Sequence, residues 1–221
     1  RIDNAHPCSV KGLPDGTSAL ALVILPWNLP IARLLLKAGA STKLVDVKTK
    51  MTPLMFAATM NKLEGAQLLV EWSAKLNAVN KVGKTALTHA AQEGHTAMVR
   101  FLVDSGAELN VQDGEGMTAL FWAAAKGRIE PTRILLDAGA EIDLEDKDGN
   151  TPAKNALLEK HFAILELLLR YGASAHRAAV LPTKQGARWT EDEKNHIGKI
   201  RDALEAQPSV VHLLADHGGI C

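Results

Sequence analysis

The sequence predicts an all-α solenoid in which helix pairs stack side by side, with β-turns or hairpins at their tips. Two markers recur at one period. The first is a threonine followed by proline or alanine, found 33 residues apart at Thr52, Thr85, Thr118 and Thr151. The second is a small residue followed by alanine, found 21 residues after each of these threonines, at Ser73, Gly106, Gly139 and Gly172. A unit of this length cannot bury its apolar face alone, so neighbouring units must stack.

Each unit reads as a first helix, a tight turn, a second helix and a linking segment. The hydroxyl of Thr85 can cap a first helix of about nine residues, which Gly94 then breaks. The second helix, at 95–105, carries apolar residues at helical spacing, and Gly106 ends it in a left-handed conformation. The linking segments are rich in Asn, Asp and Gly, which favour a β-turn or hairpin.

One unit carries a close resemblance to a known family. Residues 83–95 read Gly-Lys-Thr-Ala-Leu-Thr-His-Ala-Ala-Gln-Glu-Gly-His, and Gly106, Ala107 and Asn110 follow at the expected spacing. This unit resembles the ankyrin repeat, whose pattern contains G-x-T-P-L-H-x-A-A and later G-A-x-x-N. The resemblance covers about residues 13 to 178.

The resemblance implies a division of the chain into repeats. We expect five of them, at 13–46, 47–79, 80–112, 113–145 and 146–178. Residues 1–12 form an N-terminal segment that could be the tail of a preceding repeat. A loop at 179–189 leads to a degenerate sixth repeat at 190–221, which we expect to cap the apolar end of the stack.

Three departures from the repeat pattern identify weaker units. Ser73 stands at a left-handed position where glycine costs less, and Gly65 weakens the second helix of the same repeat. We therefore expect repeat two to be the least stable. In repeat five Ala153 replaces the core leucine, and Leu157 is the residue that could refill its volume.

Composition and charge exclude several classes of protein. The chain has 25 basic and 25 acidic residues and is 47% hydrophobic, which argues against a disordered chain and against a general polyanion binder. Its two cysteines, Cys8 and Cys221, are too few and too far apart for a disulfide framework. We expect a reducing, intracellular environment, with the cytoplasm favoured and the nucleus as the alternative. Neither a signal peptide nor a membrane span is predicted.

The sequence contains no motif that indicates catalysis or a cofactor. It lacks a P-loop, a dinucleotide fingerprint, a metalloprotease motif and a nucleophile elbow. His212, His217 and Cys221 could be considered as zinc ligands, but the five-residue step places the two imidazoles on different faces of a helix. We therefore expect a chain that is not an enzyme and that holds neither a metal nor a cofactor.

The resemblance implies a binding surface formed by the turn tips and the exposed residues of the first helices, which together make the concave face that binds a partner protein. Aromatic and methionine side chains are typical of such interfaces. The candidate partner-binding residues are Lys48, Met51, Phe56, Met60, Lys81, Lys84, His89, Glu115, Met117, Trp122, Lys126, Asp148 and Leu158. Of these, Phe56, His89 and Trp122 occupy equivalent positions in consecutive repeats. The alternative interpretation is that these three side chains pack between neighbouring first helices.

Charge at the tips changes sign along the predicted stack. Three lysines and one aspartate at 43–51, and two lysines at 76–84, make the early tips basic. Three acidic residues at 108–117, and five against one lysine at 141–150, make the later tips acidic. We expect a partner with the opposite order of charge, because such complementarity orients encounter. Ordinary solvated loops are the alternative.

Two other functions remain open at the level of sequence. In the first, the domain senses a nucleotide or oligonucleotide, with Trp122 or Phe56 stacking on a base and Lys84 or Lys126 contacting phosphate. In the second, it regulates an enzyme encoded outside this sequence. The neutral net charge disfavours nucleic acid, and we expect a monomer that binds protein, as one domain of a longer chain or as a small adaptor.

The resemblance also identifies two asparagines at positions that can be modified in the family. Asn77 and Asn110 lie where ankyrin-like proteins can be hydroxylated on asparagine, each with a leucine eight residues upstream, Leu69 and Leu102. It does not imply that either asparagine is modified.

Overall fold

The computed structural model describes residues 28–174, except 44 and 47, and the isolated positions 190, 192, 195 and 198. Within that part of the chain there are nine α-helices and no strand. They are α1 Leu29–Lys37, α2 Pro53–Thr59, α3 Leu63–Glu71, α4 Ala86–Glu93, α5 Thr96–Asp104, α6 Ala119–Ala125, α7 Ile129–Asp137, α8 Pro152–Leu158 and α9 Phe162–Arg170. The predicted segment 1–12, the loop 179–189 and nearly all of the predicted cap lie outside the described residues.

The helices form two layers that stack in chain order. The first helices α2, α4, α6 and α8 contact one another in succession, and so do the second helices α3, α5, α7 and α9. Each first helix also contacts the second helix of its own pair. This arrangement confirms the predicted solenoid. Helix α1 is the second helix of the first unit.

The repeated threonines cap the first helices as predicted. In each case the hydroxyl oxygen accepts a hydrogen bond of 3.2 Å from the backbone N–H three residues later; the capping residues are Thr52, Thr85, Thr118 and Thr151. These helices have seven or eight residues, slightly fewer than expected. They end early because a left-handed residue follows each one, for example Gly94 with φ 84° and Lys160 with φ 60°.

Small side chains let the first helices approach closely. Each first helix has at least two alanines that are no more than 1% exposed, and those at equivalent positions are Ala57, Ala90, Ala123 and Ala156. Leucine, isoleucine, methionine and valine side chains and one phenylalanine fill the core around them. In the last repeat Ala153 is fully buried and Leu157 is 6% exposed, so a leucine side chain is available there to restore part of the lost volume.

The tips are turns that hydrogen-bond to one another directly. The N–H of Lys81 donates to the Thr49 carbonyl at 2.9 Å, and the N–H of Gly114 donates to the Val82 carbonyl at 2.8 Å. The bond from Lys147 to Glu115, at 2.9 Å, continues the series. The tips therefore form a row in which each turn is fixed against the next, and no strand is assigned to them in the residues described.

Two asparagine side chains in the linking segments also join successive repeats. The Oδ1 atom of Asn77 accepts a hydrogen bond of 2.9 Å from the Glu108 N–H, and Asn110 accepts one of 2.9 Å from Glu141. Both asparagines that the family resemblance identified as modification positions therefore connect neighbouring repeats. Their bonding explains why a polar residue recurs there, whether or not it is modified.

Ser73 adopts the left-handed conformation predicted for it, with φ 57°. We expect Ser73→Gly to raise the free energy of unfolding by about 0.5–1 kcal/mol, because a residue with a Cβ is strained there and glycine is not. Urea unfolding followed by circular dichroism measures this change. Ser105→Gly is the control, since Ser105 has φ −80° and its hydroxyl bonds to the Phe101 carbonyl; this variant should lose stability. A loss in both variants would contradict the prediction.

Candidate partner-binding surface

The thirteen candidate residues differ in how far they reach solvent. Six are exposed: Lys48, Met60, Lys81, Glu115, Lys126 and Asp148. The other seven are partly buried: Met51, Phe56, Lys84, His89, Met117, Trp122 and Leu158. The structure brings Lys84, Trp122 and Lys126 into one cluster at the middle of the first-helix face. The charged tip residues Lys48 and Asp148 lie in repeats two and five, at the two ends of the row of tips.

Trp122 is held by contacts on its edge and on its face. The indole N–H donates a 2.7 Å hydrogen bond to Oδ2 of Asp113, which belongs to the tip of the same repeat. The ammonium nitrogen of Lys84, from the preceding repeat, lies 3.5 Å from the ring centroid, and that of Lys126 lies 5.8 Å from it. Such cation–π contacts fix the ring while leaving part of it exposed. Trp122 is thus both a packing residue and an accessible one.

Lys84 pairs with a neutral side chain. Its ammonium group donates a hydrogen bond to Oε1 of Gln92 on the first helix of its own repeat. Burial lowers the pKa of Lys84; the carboxylate of Asp113 opposes this effect and the charge of Lys126 adds to it. Neither Lys84 nor Lys126 forms a salt bridge with a residue in the described part of the chain.

His89, a candidate for the binding surface, is partly buried and contacts the tip of its own repeat. Its Nε2 atom lies 3.1 Å from Nδ2 of Asn80, whose Oδ1 accepts hydrogen bonds from the Val82 and Lys84 N–H groups. These bonds fix the orientation of the amide, so Nδ2 donates and the imidazole Nε2 accepts. Burial lowers the pKa of His89 to about 4, with the nearby Lys84 charge adding to the shift. The ring is therefore neutral at pH 7 and connects the tip to the first helix.

Three of the tip aspartates are buried, so their carboxylates are not available at the surface of the tips. The charge count from sequence included Asp46, Asp113 and Asp146, but these are only 3%, 8% and 8% exposed. Each carboxylate turns inward to accept hydrogen bonds from the N–H groups of its own turn. The hydrogen bond from the Thr49 hydroxyl contributes most to lowering the pKa of Asp46.

The exposed charges keep the predicted order of sign. Among the described residues, the charged side chains exposed on the first two tips are all lysines: Lys43, Lys48, Lys50 and Lys81. The last two tips expose mainly acids: Glu108, Glu115, Glu141, Glu145 and Asp148, beside Lys147. Because the Asp46 carboxylate is buried, it does not lie among the exposed lysines of the basic end.

The structure adds Val45 and Val79 to the surface, two aliphatic residues that sequence analysis did not single out. Val45, Val79 and Val82 are 39%, 49% and 55% exposed. All three lie in the first two tips, at 43–51 and 76–84, which lead into repeats two and three. Comparing repeats could have found Val45 and Val79, because the equivalent positions in the next two repeats are polar, Gln112 and Glu145.

Neither a metal site nor a membrane span is found in the residues that the structure describes. No three His, Cys, Asp or Glu side chains there are grouped to hold a metal ion. None of the helices in that region has the length and apolar character needed to cross a bilayer. His212, His217 and Cys221, which were considered as zinc ligands, lie outside the described residues.

Comparison with known proteins agrees with this architecture. A family model described as ankyrin repeats (3 copies) matches residues 20–113 and 106–179. Dauer abnormal formation protein 25 of Caenorhabditis elegans is 35% identical over 82 residues, which is 37% of this chain and 21% of that protein. The match therefore spans about a fifth of the relative's length. Because the family model covers well over half of the sequence and the helix pairs stack in chain order, the chain belongs to the ankyrin repeat family.

Proposed function

We propose that this chain is a non-catalytic module that binds a partner protein across its tips and first helices. Ankyrin repeats are in general protein–protein interaction modules, and the family is generally non-enzymatic. The observation that carries the proposal is the fixed, partly exposed indole of Trp122 at the middle of the first-helix face.

Trp122 suits an interface anchor because it is already ordered. Its N–H is satisfied by Asp113 and one face is covered by Lys84, so the ring needs no new hydrogen bond when a partner arrives. A side chain held in its bound rotamer loses little conformational entropy on association. Tryptophan is also among the residues that contribute most to protein interfaces.

The surface extends from Trp122 toward the earlier repeats. Phe56 occupies the equivalent position in repeat two and is partly exposed, and Met60 on the next turn is 53% exposed. Methionine adapts to partner shape because it is unbranched and polarisable. A partner that lies across repeats two to four would therefore contact an aromatic residue at each end of its footprint.

The test is affinity capture followed by quantitative mass spectrometry. We expect Phe56→Ala/Trp122→Ala to lose at least one protein that the unmodified chain retains, since truncating a good anchor costs about 2 kcal/mol or more. Trp72→Ala is the matched control, because Trp72 is 37% exposed at the end of second helix α3 and lies outside the proposed surface. Circular dichroism checks that each variant folds. Unchanged capture by the double variant would reject the site.

The nucleotide-sensing alternative is weakened by the contacts of Trp122. Lys84 lies over the ring at 3.5 Å, so a base cannot stack on that face without displacing it. Titration calorimetry with nucleotides and short oligonucleotides tests this alternative. Binding that Trp122→Ala abolishes would replace the protein-binding proposal.

We propose that the module acts inside the cell, with the cytoplasm favoured over the nucleus. Two cysteines at opposite ends of the sequence support a reducing environment. If a longer chain contains an enzyme, the module would act on it as a regulatory domain through the same surface.

A further inference from the structure

We propose that the tips of repeats two and three bind an extended acidic segment of the partner that carries aliphatic side chains. This inference rests on the proposed function and specifies which part of the partner meets the basic end of the surface. It is carried by a group of exposed valines, which we call the aliphatic tip patch: Val45, Val79 and Val82.

The valines belong to two turns that are fixed side by side. Val45 and Val79 each precede the residue whose side chain holds its turn together, Asp46 and Asn80 respectively. The hydrogen bond from Lys81 N–H to the Thr49 carbonyl joins these two turns at 2.9 Å. A direct backbone hydrogen bond therefore joins the two turns that carry the patch.

Repeat stacking does not require valine at these positions. The residues equivalent to Val79 and Val82 are Gln112 and Glu115 in the next tip, which makes the same type of turn and the same backbone bond to its neighbour. Val82 supports the stack through its carbonyl, which accepts from Gly114, while its side chain is 55% exposed. The aliphatic side chains are thus available to a partner without loss to the fold.

The lysines around the patch define the charge of the segment that fits it. Lys43, Lys48, Lys50 and Lys81 are all exposed, and none of them forms a salt bridge with a described residue. An acidic segment would meet these charges, and its aliphatic side chains would bury the valines. A basic segment would be repelled here and drawn to the acidic tips of repeats four and five.

The probe is a fluorescein-labelled peptide in which glutamates flank a Leu-Val pair, with binding followed by fluorescence anisotropy. In one matched peptide serines replace Leu-Val, and in a second lysines replace the glutamates. We expect each change to weaken binding at least tenfold, because the first removes aliphatic burial and the second reverses the charge. Binding of the first peptide should also weaken as salt is added.

Variants of the protein locate the site. Lys81→Glu and Val79→Ser/Val82→Ser should each weaken binding of the acidic aliphatic peptide about tenfold or more. Lys147→Glu reverses a lysine at the equivalent position of the acidic end, and Ile129→Ser removes a 41% exposed aliphatic residue at the far end of a helix pair. Both control variants should change the dissociation constant less than threefold.

Several results would overturn the inference. They are no binding of the acidic aliphatic peptide, equal binding of the serine peptide, and equal loss in the control variants. Binding of polyphosphate, a single-stranded oligonucleotide or anionic lipid vesicles as tight as that of the peptide would show a general polyanion surface instead. If the peptide fails while capture still depends on Trp122, only this inference fails. If capture does not depend on Trp122 or Phe56, the proposed function fails separately.

Discussion

Gly83→Ala is expected to lower the free energy of unfolding by about 2–4 kcal/mol, the combined cost of a left-handed residue with a Cβ and of a backbone clash. Gly83 has φ 83°, and a Cβ built on it would lie 2.8 Å from the Gly114 nitrogen and 3.0 Å from the Asp113 carbonyl carbon. Both atoms belong to the backbone of the next tip, so neither can move without disturbing the hydrogen bond between the tips. Urea unfolding monitored by circular dichroism measures the loss.

The tips of repeats four and five supply a graded control for this substitution. Gly149 has φ 72° and no atom of a described residue within 4 Å of a built Cβ, so Gly149→Ala should cost only about 1 kcal/mol. Gly116→Ala should fall between the two, because its Cβ would lie 3.0 Å from the Lys147 nitrogen. Equal losses in all three variants would mean that conformation alone matters and that the tips do not approach closely in solution.

Acidification from pH 6.5 to pH 4 should lower the free energy of unfolding by about 3 kcal/mol through His89, on the order of 1.4 kcal/mol for each unit of pKa difference. The pKa of His89 is about 4 in the folded chain, against 6.5 for an unperturbed histidine. The unfolded chain therefore takes up this proton first. The loss of stability caused by protonation of His89 is absent above pH 6.5, grows as the pH falls, and is complete below pH 4.

A difference between variants isolates this effect from the titration of other groups. His89→Gln keeps a side chain that can accept from Asn80 but cannot be protonated, so its stability should fall less steeply over this pH range. His95→Gln controls for the loss of a histidine, since His95 contacts the Thr59 carbonyl at the opposite end of the helix pair. Parallel stability curves for the unmodified protein and His89→Gln would show that the folded chain protonates this ring as readily as the unfolded one.

Much of the fold could be predicted from the sequence because it depends on local preferences repeated at one period. Threonine caps, glycine terminators and the left-handed Ser73 each act within a few residues of themselves. The structural role of a residue such as Thr85 can therefore be predicted from the few residues around it. The shorter first helices were missed because their ends depend on which residue becomes left-handed, as with Lys160, and lysine gives little signal for that conformation.

The site was predicted less completely, because charge and exposure there depend on neighbouring repeats and on the direction of each side chain. Asp113 was counted as a surface charge, but the turn N–H groups and the Trp122 indole bind it inside. His89 was expected to contact a partner, but its partial burial and its contact with Asn80 were not predicted. Both outcomes require knowing which polar groups surround a side chain.

The sequence by itself determined the solenoid, its period and the residue types along each tip, since these follow from local propensity and from the need to bury one apolar face per repeat. Only the tertiary structure decided that Lys84 covers Trp122, that the tip aspartates turn inward, and that valines stay exposed beside a row of lysines. The physical reason is that these features arise between side chains in adjacent repeats, or from competition between solvent and backbone N–H groups for one carboxylate. Neither of these effects can be predicted from the repeat pattern of the sequence alone.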